Sequence, residues 1–208
     1  MKILFTTKSS TNNIYISYDV LIIKKMIKLD GNYGEGGGSL VRVALALSTL
    51  TGKEFQVKNI RSGRSKSGLK AQHLAAVNAL KEICNAETNE IKVGSTELDF
   101  KPGKIKKGIF KIDIGTAGSI SLLLQALTLP CLFASGKVTL KVKGGTCGLG
   151  QASVDYLQNV LLPHLIRFVD KIELKFLKED ITQKVEEKFT LSLTQNFVYM
   201  IMITLHHF

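Results

Sequence analysis

A short pattern occurs twice in this 208-residue chain, about 80 residues apart, and it limits the fold more than any other feature. An apolar stretch runs into glycines, a serine opens a long apolar segment, and a Gly-Lys pair leads into residues of alternating polarity. In the first copy these are Met26 to Leu29, the glycines up to Gly38, Ser39, Gly52-Lys53 and Phe55 to Val57. In the second they are Ile109 to Ile114, Gly115 and Gly118, Ser119, Gly136 and Lys137 to Lys143. The pattern specifies strand, glycine turn, helix, strand. From Lys137 to Lys143 the period of two is perfect, which predicts one buried face and one face of lysine and threonine. A glycine-bearing loop and a second helix follow each alternating strand, Gly68 to Cys84 in the first copy and about Ser153 to Val169 in the second. Closing strands are expected at Glu90 to Val93 and Glu97 to Phe100, and at Ile172 to Leu177. The expected fold class is α+β: tandem βαβ-type repeats, each a four-stranded sheet with two helices packed on one face, over residues 26–105 and 106–177.

The loop of the first copy reads Asp30-Gly31-Asn32-Tyr33-Gly34-Glu35-Gly36-Gly37-Gly38-Ser39-Leu40-Val41-Arg42. Glycines allow positive φ and close backbone approach, so the unpaired N–H groups of a helix starting near Ser39 can face an anion. Glu35 is out of place beside a phosphate unless a divalent cation lies between them or an arginine pairs with it. Arg42, about two turns into the helix, is the arginine in reach. Neither the Gly-Lys-Ser/Thr phosphate loop nor the dinucleotide spacing is present. The loop before the next helix reads Ile60-Arg61-Ser62-Gly63-Arg64-Ser65-Lys66-Ser67-Gly68-Leu69-Lys70 and continues into Ala71-Gln72-His73-Leu74. Four cations without a carboxylate suit the gripping of phosphates through charge-assisted bonds, where a solvated surface run would alternate in sign.

These residues resemble the RNA 3'-terminal phosphate cyclases. The Gly-Glu-Gly-Gly-Gly loop with Arg42 and the segment Ile60 to Arg64 with Gln72-His73-Leu74 match that family. So do Gly115-Thr116-Ala117-Gly118-Ser119 running on to Gln125, and Gly144-Gly145-Thr146, all in family order over about residues 26 to 177. A sister group of non-catalytic ribosome-assembly factors lacks the Glu-Gly-Gly-Gly loop and the second arginine, so Glu35 and Arg64 place the chain with the enzymes. The resemblance implies ATP-dependent conversion of an RNA 3'-phosphate end to a 2',3'-cyclic phosphate, through an adenylylated histidine and an adenylylated RNA end. It implies ATP and a divalent cation (Mg or Mn) as cofactors and RNA 3'-phosphate ends as partner. Carried over by residue, Glu35 holds the metal, Arg42, Arg61 and Arg64 grip phosphates, Gln72 orients the same region, and Gln125 binds the nucleotide. On the residues alone, Arg42 also reads as a surface residue paired with Glu35, and Gln125 as the solvent-facing position of an apolar helix.

The family plan has three such repeats and an insert, with the nucleophilic histidine in the third, so the sequence reads as a truncated member with no identifiable catalytic residue. His73 belongs to the Gln-His-Leu match without being the adenylylated residue; His164, after Pro163 at a helix end, reads as a terminal cation rather than a base, and His206 and His207 have no acidic neighbour to orient them. In the Gly144 to Ser153 loop, Cys147 stands where Asp or Asn is frequent in the family, and the prolines are missing. Residues 1–25 are expected to be an extension or an overcalled start, the latter favoured, and 178–208 a divergent tail. Two other readings stand beside the enzyme: a non-catalytic RNA- or nucleotide-binding relic, and an enolpyruvyl-transferase-like use of the same fold.

A net charge of +11 suits a polyanionic partner. Cys84, Cys131 and Cys147 show no paired or metal-ligating spacing, Cys84 and Cys131 fall in apolar helical runs, and a reducing, cytoplasmic compartment is expected. Phe197 to Leu205 is too short to cross a bilayer, so no membrane association is expected. An unpaired end of the second repeat predicts self-association.

Overall fold

The computed structural model describes residues 26–145, 151–177 and 187–194. Two four-stranded sheets share one topology. The first comprises β1 (Ile27–Asp30), β2 (Phe55–Lys58), β3 (Glu87–Thr88) and β4 (Leu98–Lys101), in the order β1-β2-β4-β3. The second comprises β5 (Gly108–Asp113), β6 (Val138–Gly144), β7 (Lys171–Leu177) and β8 (Glu187–Thr194), in the order β5-β6-β8-β7. The first pair of each sheet is parallel and the rest antiparallel. A parallel pair requires a crossover, which helix α1 (Ser39–Thr51) supplies in the first unit and α3 (Ile120–Leu132) in the second. Helix α2 (Ala71–Cys84) and a helical segment over 154–168 follow β2 and β6. The α+β fold of tandem βαβ-type units is thus present.

Local chemistry accounts for the helix ends. Gly52 (φ +66) takes the left-handed position after α1 and its N–H donates to the Ser48 carbonyl at 2.9 Å; Asn85 (φ +51) takes the left-handed position after α2. The 154–168 segment is irregular, α-helical at Val154–Tyr156, π-helical over Leu157–Leu161 and α-helical again at Leu162–Leu165. Pro163 has no N–H to return to the preceding turn, which accounts for the widened turn before it.

Three features differ from the sequence expectations. Glu90 to Val93 is a loop, and the strand before β4 is Glu87–Thr88. Asn89 Oδ1 accepts the Asp99 N–H at 2.9 Å, replacing a ladder bond, and Gly94 (φ +91) bends the chain so that Gly94 and Ser95 bond Leu69 while Thr96 bonds Ile60. The loop therefore braces the basic segment 61–68 from behind. Second, the sheet of the second unit does not close at 177: β8 lies within 178–208, the expected divergent tail, and pairs with β6 on one side and β7 on the other. Third, Thr139 on β6 is buried, although the alternation places it on the exposed face. β6 is a central strand, flanked by β5 and β8 along its length.

The helices of both units meet in one core. α1 packs along α3, and α2 touches α1, α3 and β5. Leu45, Leu80, Ile83, Leu123 and Leu127 are fully buried there, each contributing about 2 kcal/mol by removal from water. Phe55 and Phe100, paired across β2 and β4, stack at 5.7 Å on the first sheet. Cys84 and Cys131 are buried free thiols, and burial pushes Cys131 up to about 12. No helix among the described residues is long and apolar enough to cross a membrane. Residues 1–25, Cys147, His206 and His207 lie outside the described residues.

Candidate functional site

The glycine loop delivers α1 with its N-terminus open. Gly34 (φ +64) and Gly36 (φ +56) make turns that other residues rarely adopt. Gly38 occupies the N-cap position, and no side chain caps the helix there. Its hydrogen is required for space: a Cβ on Gly38 would lie 2.1 Å from His73 Nε2. The loop is tied to the basic segment by Asn32, whose Oδ1 accepts the Gly63 N–H at 3.0 Å. The second loop is pinned by Arg61. Its backbone is left-handed (φ +56), and its Nη1 donates to the carbonyls of Lys66 at 2.7 Å and Gly68 at 3.2 Å.

Together the loops, α1, α2 and α3 form an open cavity of about 180 Å³ lined by Gly37, Gly38, Arg42, Arg61, Arg64, Lys70, Gln72, His73 and Leu122. That is below the roughly 300–1,000 Å³ of sites that enclose a drug-sized ligand, and it suits phosphate groups with the rest of the ligand outside. Its electrostatics are one-sided. Arg42 and Arg61 are 9% and 8% exposed, and neither pairs with a carboxylate among the described residues. Buried arginines are ordinarily paired, because desolvating a lone charge is costly. Burial lowers the proton affinity of both, with Arg64 adding to the effect at Arg61, yet a guanidinium stays charged. Lys70, the N-cap residue of α2, also leaves its helix without a side-chain cap. Two open helix N-termini and four cations therefore converge on one small space, an arrangement that binds anions.

His73 is the neutral member of the set. It is 2% exposed, and its Nδ1 accepts the Lys70 N–H at 3.1 Å. Burial first, then Arg42, Arg61 and Lys70, bring its pKa down to about 4, so the ring carries no charge near neutrality.

A family model for RNA 3'-terminal phosphate cyclase matches residues 33–198. The chain belongs to the RNA 3'-terminal phosphate cyclase family. It is 48% identical over 153 residues to the RNA 3'-terminal phosphate cyclase of Archaeoglobus fulgidus, covering 74% of this chain and 47% of that one. To the protein of the same name in Methanopyrus kandleri it is 47% identical over 153 residues (74% and 44%), and to that in Methanosarcina acetivorans 52% over 137 residues (66% and 39%). The chain spans about half the length of the curated relatives it matches. The family match extends beyond residue 177, where the sequence alone loses the resemblance, and takes in β8.

Against this cyclase frame the six residues singled out in the sequence fall close together. Arg42, Arg61, Arg64 and Gln72 line the cavity. Gln125 joins through Arg42, whose Nε donates to its Oε1 at 3.0 Å across the α1–α3 contact. Gln125 is an exposed position of an apolar helix, yet its carbonyl is engaged. Glu35 joins through Arg64, at 3.2 Å. This corrects the pairing of Glu35 with Arg42: the Asn32–Gly63 tie brings Arg64 to the glycine loop, while Arg42 turns to α3. Gln72 reaches the second unit, its Oε1 accepting from the Ser119 N–H at 3.4 Å, a long bond. His164 is exposed and does not line the cavity. Lys70, one of the four cations of the basic loop, also lines the cavity; sequence reasoning missed Leu122 and His73 as parts of the wall. The available signal was a helix opening with lysine instead of a capping residue and carrying a histidine at its third position.

Proposed function

We propose that this chain grips the phosphates of ATP and of an RNA 3'-phosphate end in the ATP-dependent formation of a 2',3'-cyclic phosphate. The observation that carries the reading is the pair of buried arginines, Arg42 and Arg61, without a carboxylate partner, facing a cavity onto which two uncapped helices open. An anion is the partner that such a site lacks. Family membership supports a phosphate of nucleotide or RNA as that anion. In this role Arg42 and Arg61 hold charge, the Gly37–Gly38 backbone donates N–H groups, and Gln125 keeps the Arg42 guanidinium facing the cavity.

A divalent cation fits as a companion of the phosphates. No three His, Cys, Asp or Glu side chains gather among the described residues. Glu35, whose side chain is 92% exposed, is free to turn from Arg64, and magnesium commonly uses one or two carboxylates plus substrate phosphates. Bound there, it would neutralise developing phosphate charge.

Neither described histidine is suited to take the adenylyl group. A nucleophilic nitrogen needs a free lone pair at the substrate. The His73 Nδ1 lone pair takes the Lys70 N–H, so the proton sits on Nε2. His164 is outside the cavity. On the described histidines, binding without turnover is the expected behaviour of residues 1–208. The test is purified chain with ATP, Mg and a 3'-phosphorylated oligoribonucleotide. Salt-dependent binding without AMP release or cyclised ends is expected; a cyclic phosphate would overturn the claim of inactivity, and the absence of ATP and RNA binding would overturn the site.

A further inference from the structure

Resting on that reading, we propose that His73 is a phosphate-binding residue: its Nε2–H, held against the glycine loop, donates to an anion oxygen in the cavity. The ring is buried, forms part of the cavity wall, and presents its Nε2–Cε1 edge to Gly38. Because Nδ1 accepts from the Lys70 backbone, the tautomer is fixed and Nε2 is the donor. No acceptor among the described residues takes that hydrogen, and the ring lies on the cavity wall, where a ligand oxygen can meet it.

The choice of side chain carries the argument further. The third position of a helix ordinarily holds Glu or Gln when it reaches back to the N-cap N–H. Glutamate here would set a carboxylate beside Arg42, Arg61 and Lys70, the three cations that face His73, and would compete with the ligand for them. Glutamine has its acceptor and its donor at the same end and does not span the two tasks. An imidazole accepts from Lys70 on one edge and donates at the opposite edge. Burial first, and then the surrounding cations, keep it neutral, so it adds a donor without adding charge. A residue needed only to cap α2 requires the first edge alone.

Asparagine and glutamine separate the two edges, since Asn Oδ1 overlies the position of Nδ1 and Gln Nε2 that of Nε2. Purified residues 1–208, His73→Asn and His73→Gln are titrated with ATP and, separately, with inorganic diphosphate, with a thermal melt of each protein. His73→Asn keeps the contact to Lys70 and loses the donor, and its affinity for both ligands falls about tenfold to a hundredfold. His73→Gln loses the contact to Lys70 and melts lower, yet stays within about threefold of the wild type in affinity. A His73→Asn protein that binds like wild type overturns the proposal, as does a loss with ATP that diphosphate does not share. If His73→Asn does not fold, a folded His73→Gln that has lost binding overturns it and one that retains binding supports it. Failure of the wild type to bind either ligand refutes the phosphate-gripping site itself. If Arg42→Leu weakens binding while His73→Asn leaves it unchanged, the site stands and the role of His73 falls.

Discussion

In the first unit α1 begins at Gly38 and α2 at Lys70, and neither side chain caps its helix. In the second unit Ser119 and Ser153 hold the corresponding places, and their hydroxyls accept the N–H groups of Leu122 and Tyr156 at 3.2 Å each. Aligned on these caps, Arg42 corresponds to Leu123, and His73 to Tyr156. Leu123 is fully buried in the core and Tyr156 is exposed. One topology, repeated with the same strand order, thus carries two treatments of its helix starts. The second unit satisfies its own donors and is closed. The first leaves them open, surrounds them with cations and buries a neutral imidazole beneath them. Fold and site are separable here, and the site lies in what the first unit's caps leave undone.

Acid sharpens the contrast most. The folded pKa of His73 is lowered from 6.5 to about 4 by burial and by Arg42, Arg61 and Lys70. Between these values the unfolded chain binds a proton that the folded chain refuses. The contribution is therefore fully present above the unfolded pKa and is lost as pH falls from about 6.5 toward 4, by about 3 kcal/mol. Tyr156 contributes nothing comparable in this window, because its phenol does not titrate there. Denaturant melts of wild type and His73→Gln at pH 7 and pH 4.5 check this: the stability gap between the two narrows or reverses in acid. Parallel pH profiles would remove His73 as the origin.

Arg42→Leu rewrites the first unit in the image of the second. It removes a buried charge that no described carboxylate balances, and a gain in stability of about 1–2 kcal/mol is expected on desolvation grounds. ATP affinity should fall about a hundredfold, since a charge-assisted contact of about 1.5–3 kcal/mol is lost. Stability and binding then move in opposite directions. A destabilised Arg42→Leu protein would show that the Gln125 contact on α3 outweighs the buried charge.

How much of this was visible in the sequence depends on the range of the interaction. Ser39, Gly52 and the alternation from Lys137 to Lys143 declare α1 and β6, because helix starts, stops and pleat are local. Glu90 to Val93 alternates as a strand does, yet its backbone neighbours are recruited to Ile60 and Leu69, a tertiary demand that no window of that length contains. The arginines and glutamines of the family motifs lie near one another in the structure, while Glu35 pairs with Arg64 and Arg42 with Gln125. The partner of Glu35 is set by Asn32 reaching Gly63, 31 positions away, and a contact between two irregular loops leaves no periodic trace. β8 was missed because residues after 177 lost the motif resemblance while keeping enough apolar pattern to pair.

The smallest expected effect tests the caps themselves. Lys70→Ser supplies α2 with the residue that begins the 154–168 segment, whose hydroxyl can accept the His73 N–H as Ser153 accepts that of Tyr156. A good N-cap in place of a poor one stabilises by about 1 kcal/mol, or about 2–4 °C in melting temperature for a domain of this size. The same change removes one cation from the cavity, so ATP affinity falls a few-fold and the slope of affinity against salt becomes shallower by about one ion. Ser153→Ala is the mirror experiment: about 1 kcal/mol is lost and affinity is unchanged, because that cap faces no cavity residue. If Lys70→Ser stabilised the chain and left both affinity and salt slope intact, the open start of α2 would be a packing accident, and the contrast between the units would reduce to Gly38 and Arg42.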